Sequence, residues 1–243
     1  MNARAVLAQA SLELRLIMRA GESLVITFGI PLGILVFFSV VDVVPTGDLD
    51  PVSFLVPGVL AISVAATGFV AIAIQTAFER KYGVLKRLGA TPLTTTGFFV
   101  AKSLTVIALI SVQTVLVFAL ALGLLGWRPS AGIALVPVGL LLGALACTSL
   151  GLLVAGTLRA EATLALTNAV FLVLLMVSGV AFDADVLPAG VAAVGAVLPV
   201  GATANLLRTG LETGTVDWSA AGALAGWSIV ALAAAKRWFR WEP

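Results

Sequence analysis

The 243-residue chain has no histidine, one cysteine and one tyrosine, and Asp, Glu, Lys and Arg together make up only 11% of it. Without histidine it lacks the commonest acid–base catalyst and the commonest metal ligand. Cys147 alone can form neither an intramolecular disulfide nor a cysteine metal site. No G-x-x-x-x-G-K-[ST] phosphate loop occurs, so ATP binding of that kind is excluded. H-E-x-x-H and G-x-S-x-G are also missing, and no two acids lie within facing apolar segments. No small-residue cleavage site follows Arg4, Arg15 and Arg19, so a removable signal peptide is not expected. A formal charge of +2, with no basic patch interleaved with aromatics, argues against a nucleic-acid partner.

What is present is apolar sequence. The chain is 60% hydrophobic with a mean hydropathy of +1.14, whereas soluble domains are about 45–50% apolar and about 25% charged. That composition predicts an all-α membrane protein embedded in lipid. A span needs ~20 apolar residues, and six segments qualify, at about 24–41, 54–77, 96–125, 133–158, 163–182 and 218–235. Pro31 and Gly33 interrupt the first, and Pro57-Gly58 lies near the start of the second.

Residues 1–22 precede the spans. At 100° per residue, Ala3, Val6, Leu7, Ala10, Leu14 and Ile17 share one side of a helix, and Arg4, Ser11, Arg15 and Arg19 the other. This pattern predicts an amphipathic helix lying in the interface, either as a simple anchor or as a contact for a partner. Glu13, on the flank of the apolar side, is its one misfit.

Lys and Arg set the orientation. With the N-terminus cytoplasmic, twelve fall inside and only Arg128 and Arg208 outside. The outer side instead collects Asp42, Asp48, Asp50, Asp183, Asp185, Glu212 and Asp217. Both termini are therefore expected in the cytoplasm. Residues 183–212 are moderately apolar but carry Pro188, Pro199, Asn205 and Arg208. As a seventh span they would send Lys236, Arg237 and Arg240 outside, so they read as short re-entrant helices in the outer leaflet. Lys102, just inside the third span, is expected to snorkel to the cytoplasmic interface.

Gly222-x-x-x-Gly226 and Cys147-x-x-x-Gly151-x-x-x-Ala155 would allow close helix contact, within the chain or with a second copy. The pieces Ile30-Pro31-Leu32-Gly33, Val136-Pro137-Val138-Gly139 and Leu198-Pro199-Val200-Gly201 suggest local kinks.

Residues 78–93 concentrate charge between two spans. Phe78, Tyr82, Leu85 and Leu88 can form the apolar side of a short helix, with Glu79, Arg80, Lys81, Lys86 and Arg87 on the polar side. Gly89 and Thr91-Pro92 would stop it. On spacing alone an ordinary basic loop reads equally well. The run Glu79-Arg80-Lys81-Tyr82-Gly83-Val84-Leu85-Lys86-Arg87-Leu88, followed by Ala90-Thr91-Pro92-Leu93, resembles the E-R-E-x-G-T-L-K-R-L…T-P-L segment of ABC-2 type permeases. It is most similar to their drug-resistance, daunorubicin-type branch. Lys81 and Val84 depart from that pattern. The leading helix, six spans, Pro57-Gly58 and Pro199…Leu206-Leu207-Arg208 extend the resemblance over the chain.

The resemblance implies a type V exporter fold in the bacterial cytoplasmic membrane. Two permease chains, identical or paralogous, would pair through the second and fifth spans around a translocation path. Cytoplasmic ABC ATPase subunits, carrying ATP and Mg, would grip the 78–93 coupling helix and the N-terminal helix; this chain would bind no cofactor itself. Coupling would fall to Glu79, Arg80, Tyr82, Leu85, Lys86 and Arg87, with Glu79 meeting Arg15 or Arg19. Candidate path residues are Ser63, Thr67 and Phe69 on the second span and Thr167, Asn168 and Phe171 on the fifth. Asn168 is the strongest of them, because an amide in lipid seeks a partner across helices. The apolar spans favour a hydrophobic or amphiphilic cargo (a drug, antibiotic or lipid) over a cell-envelope glycan. A membrane-embedded enzyme of lipid metabolism and a non-transporting scaffold are the competing readings. The absent catalytic constellation disfavours the first, and the coupling-like stretch disfavours the second.

Overall fold

A computed structural model describes residues 2–41, 51–180 and 187–241, and all the regular structure among them is helical. Asp42, Asp48, Asp50, Asp183 and Asp185, expected in the outer loops, lie outside the described residues. Five helices are long and apolar enough to cross a membrane: Pro51–Lys81, Thr95–Gly123, Val136–Thr157, Ala160–Val177 and Trp218–Trp238. These are spans 2 to 6.

Span 1 is built differently. It winds as a short helix, Gly21–Leu24, a π turn, Val25–Gly29, and an α stretch, Ile30–Val40, together 20 residues. At about 1.5 Å per residue, that is about 30 Å, the thickness of the hydrocarbon core. The irregularity comes before Pro31, not at it. Pro31 follows the π turn inside continuous helical backbone, and its missing N–H leaves the carbonyl four residues back, that of Thr27, without its intrahelical donor. A π turn disturbs the regular backbone ladder, and Gln113 Nε2 of span 3 donates to the Thr27 carbonyl at 2.8 Å. Pro137 and Pro199 instead open their helices. The Pro-x-Gly pieces at Pro137 and Pro199 thus mark helix starts, while the piece at Pro31 adjoins an irregular turn within a helix, as expected.

Side-chain caps reinforce several other starts. Thr94 Oγ1 accepts from the Gly97 N–H at 3.1 Å ahead of span 3. Asp217 accepts from the N–H groups of Ser219 and Ala220 ahead of span 6, and bonds to Ser219 and Ala220 hold its carboxyl below the usual range.

Span 2 is the axis of the bundle: 78% of its apolar window is buried, against 17% for span 5 and 22% for span 6. Its closest neighbour is span 4, which offers a line of small residues, Gly139, Gly143, Cys147, Gly151 and Ala155, spaced four apart and all buried. A Cβ on Gly151 would come 2.8 Å from the Phe69 carbonyl oxygen and 2.9 Å from that of Gly68, within a second π turn, Ala66–Ala71. Gly139 and Gly143 meet Leu207 and Thr203 of the helix Pro199–Glu212. The expected seam at Cys147, Gly151 and Ala155 is intramolecular and two turns longer than its sequence signature. Gly222 and Gly226, by contrast, have nothing within 4 Å and face outward. Gly151→Val is therefore expected to cost about 3 kcal/mol through overpacking, with Gly222→Val near neutral. Thermal unfolding of the two purified variants in one detergent checks this, and equal melting temperatures would refute the assignment of the faces.

Between spans 5 and 6, the helices Ala189–Val197 and Pro199–Glu212 meet at 83°. Span 6 covers the elbow, with Trp227 Nε1 donating to the Val197 carbonyl at 2.9 Å. This satisfies backbone that lipid could not.

Contacts define the two ends of the bundle. At one, Trp127 Nε1 donates to Ser53 Oγ at 3.0 Å, the Ala131 N–H donates to the Leu211 carbonyl at 3.0 Å, and Arg208 sits over the Phe54 ring at 4.7 Å. At the other, the N-terminal helix Ala3–Arg19, the segment after span 2, the break between spans 4 and 5, and the chain's last described residues come together.

Candidate functional site

Span 2 does not stop at Ala77 but runs on to Lys81, carrying Gln75, Thr76, Glu79 and Arg80 with it. Gly83 then adopts φ 72°, a left-handed conformation that a side chain would strain, and its N–H returns to the Arg80 carbonyl at 3.0 Å. The chain reverses into a six-residue helix, Val84–Gly89. The single helix expected from Phe78 onward is thus two elements joined at Tyr82-Gly83. Phe78, Glu79 and Arg80 belong to the span; Leu85, Lys86 and Arg87 belong to the short helix. Leu85 is fully buried and anchors it, while Lys86 and Arg87 are exposed. Tyr82 is 67% exposed, its ring 6.0 Å from that of Phe78.

Glu79 is drawn inward. Its partner is not Arg15 or Arg19, which lie exposed on the far side of the N-terminal helix and make no ion pair with it among the described residues. The partner is Lys102. Lys102 Nζ lies 3.1 and 3.0 Å from the two carboxylate oxygens of Glu79, and 3.1 Å from Glu13 Oε1. Its side chain is 0% exposed and that of Glu13 2%. The snorkelling expected of Lys102 does not occur, because two carboxylates meet its charge inside the protein. An ammonium has three N–H donors, and here three carboxylate oxygens surround it. The Phe98 ring, 5.4 Å away, covers it on another side.

Each acid is positioned from its own helix. Gln9 Nε2 donates to Glu13 Oε1 at 2.8 Å, and Gln75 Nε2 donates to Glu79 Oε1 at 2.9 Å. Both pairs are four residues apart, the spacing that stacks side chains on a helix face. The N-terminal helix accordingly turns Val6, Gln9, Ala10 and Glu13 inward. Leu7, expected on the apolar side of this interfacial helix, is not covered by the protein, with 62% of its surface exposed. Taking charges out of water is costly, and leaving one unmatched is costlier. The cluster therefore pins three sequence-distant helices to one another at a point.

The tail closes the site from below. The Phe239 ring lies 5.1 Å from Phe99 and 5.9 Å from Phe98, and Trp241 lies 5.6 Å from Phe98. Trp241 Nε1 donates to Thr95 Oγ1 at 3.2 Å, and its ring lies against Gly89 of the short helix. Arg80, 5% exposed, donates through Nη2 to the Leu158 carbonyl at the end of span 4, and Lys81 pairs with Glu161.

The expected path residues do not converge. Ser63 and Thr167 are buried within the chain, their hydroxyls turned to the Val59 and Thr163 carbonyls at 2.7 Å. This is how hydroxyls in helices usually satisfy themselves in apolar surroundings. Asn168 is exposed, yet its amide also bonds back, to the Leu164 carbonyl at 2.7 Å, and not across helices. Thr67 is buried, and Phe171 is half-buried. Phe69 alone of the six lines an apolar cavity of about 200 Å3, facing Leu166, Val170 and Leu174 of span 5.

Sequence reasoning missed Glu13, Lys102, Gln9, Gln75 and the aromatic tail as parts of one site. A signal did exist: an acid on the wrong side of an amphipathic helix and a lysine inside a span are misfits of opposite sign. A family profile described as ABC-2 type transporter matches residues 5–211. None of the curated proteins matches the chain.

Proposed function

Because the chain belongs to the ABC-2 type transporter family, in which it is a membrane permease component, we propose that it exports a hydrophobic or amphiphilic compound, driven by a separate ATPase. In this reading the basic end of the bundle faces the cytoplasm of a bacterium, with both chain ends on that side. Cytoplasmic ATP-binding subunits, holding ATP and Mg, press on Lys86 and Arg87 of the short helix, beside exposed Tyr82. A second permease chain, identical or paralogous, completes the translocation path.

One observation carries the coupling role. The short helix that offers exposed charge begins five residues beyond Glu79, and Glu79 is clamped through Lys102 to the N-terminal helix. A push on that helix reaches spans 2 and 3 together, with no flexible linker between. The absence of a phosphate loop makes an outside motor necessary for uphill transport. A groove of about 470 Å3 between spans 3 and 4, lined by Ile107, Ile110, Phe118 and Leu140 with Ser111 and Thr114, supports an amphiphilic cargo.

The test is co-purification of the tagged chain with a phosphate-loop ATPase subunit, followed by ATP hydrolysis in lipid with and without candidate drugs. Stable association and drug-responsive hydrolysis are expected. A chain that purifies alone under mild detergent from cells making the ATPase would overturn the reading.

A further inference from the structure

Where span 2 ends and span 5 begins, a cavity of about 240 Å3 is lined by Ala77, Arg80, Lys81, Arg159, Ala160 and Glu161. Three of these six are cations and one is an acid. Lys81 already engages Glu161, so Arg80 and Arg159 leave the cavity with uncompensated positive charge. Arg80 is 5% exposed and, among the described residues, makes one hydrogen bond, to the Leu158 carbonyl. A guanidinium has five N–H donors. Arg240, on the tail, lies close enough for its charge to act on Arg80. A guanidinium with donors to spare, sharing a cavity with the further cations Lys81 and Arg159, suits an anion. The N-terminus of span 5 borders the same cavity: Arg159 caps it without a side-chain hydrogen bond, and Glu161 in its first turn accepts from its own backbone N–H.

We propose that this cavity binds one phosphate group, and that the phosphodiester of an anionic lipid in the inner leaflet is its source. The site sits where span 2 ends and span 5 begins, with apolar Ala77 and Ala160 in its lining. Basic pockets between membrane helices on the cytoplasmic side take anionic headgroups, each Lys or Arg contributing about fivefold in affinity. A phosphate held there joins the end of span 2 to the start of span 5, directly behind the Tyr82-Gly83 turn. Assigning the inner leaflet rests on the orientation proposed above; the phosphate chemistry does not.

The full-length chain in detergent, titrated with phosphatidylglycerol and followed by native mass spectrometry, is expected to retain one phosphatidylglycerol in preference to phosphatidylcholine. Arg159→Gln is expected to weaken retention about fivefold, and Arg128→Gln, near the opposite end of the bundle, to leave it unchanged. Lys81→Gln, which frees Glu161 inside the cavity, is a second variant and is expected to weaken retention further. Displacement of the lipid by inorganic phosphate would overturn the lipid source. Equal retention of phosphatidylcholine, or unchanged retention in both cavity variants, would overturn the site. The measurement needs neither ATPase nor transport, so its failure leaves the permease reading standing, and a failed co-purification leaves the lipid result standing.

Discussion

Replacing Lys102 with methionine is expected to destabilise the protein more than any other single change at its basic end, by about 3–5 kcal/mol. The substitution keeps an unbranched apolar stem but removes the one cation that, among the described residues, pairs with Glu13 and Glu79, leaving two carboxylates facing each other in a largely buried space. The acids are not equivalent to the lysine. One cation and two carboxylates make the cluster formally negative by one, so Glu13→Gln leaves a balanced Lys102–Glu79 pair. Glu13→Gln is therefore expected to fall within about 1 kcal/mol of the native protein, about the net worth of one hydrogen bond. Adding Glu13→Gln and Glu79→Gln to Lys102→Met should return most of the lost stability, since a site with no charges needs no counter-ion. Melting temperatures of the three variants and the native protein in one detergent give the ranking. If Glu13→Gln proves as damaging as Lys102→Met, the excess-charge account is wrong.

Stability and coupling separate in the same set. Glu79→Gln keeps the shape of the side chain and weakens the clamp between span 2 and Lys102. Under the proposed function, the complex with its ATPase should still assemble and hydrolyse ATP while transport falls. Transport at the native rate would make the cluster a structural staple and nothing more.

The spans were legible because lipid enforces a simple pattern: long apolar runs, with cations gathered at one end. Span 3, expected at 96–125, is Thr95–Gly123, and span 6 begins at Trp218 as expected. Boundaries failed where polar residues continue a helix that has left the apolar region. Glu79 and Arg80, expected on a separate short helix beginning at Phe78, instead continue span 2, with Lys102 and the Leu158 carbonyl of span 4 as their partners. Lys102 illustrates the same limit from the other side. A lysine near a span end snorkels when its surroundings are lipid, and Glu13, a partner nearly ninety positions away, reverses that outcome. Tertiary pairing of this kind has no periodicity to betray it. The turn itself escapes the sequence reading: the expected helix runs through Gly83 to a stop at Gly89, although a glycine after a helical run is where a left-handed cap belongs.

The aromatic tail carries the other large effect. Phe239→Ala removes three ring contacts at once, with Phe98, Phe99 and Trp241, and is expected to cost about 3 kcal/mol, at the low end for a phenylalanine truncated in a packed site. More telling is where the loss appears. Trp241 rests on Gly89 and bonds Thr95, while Phe98 lies beneath Lys102. Loosening the tail therefore uncovers both the short basic helix and the buried cluster. Amide hydrogen exchange across residues 84–95 is expected to rise about tenfold or more, corresponding to a local opening cheaper by about 1.4 kcal/mol or more, while exchange in span 4 around Gly143 stays slow. Gly156→Val approaches from the opposite side: its new side chain would collide with the Phe239 ring and push the tail away. It should reproduce the exchange pattern with every aromatic residue in place. If both variants lower the melting temperature but leave residues 84–95 as protected as before, the tail merely fills space. If they expose that segment, the tail sets how firmly the short helix is held against the spans it is proposed to drive.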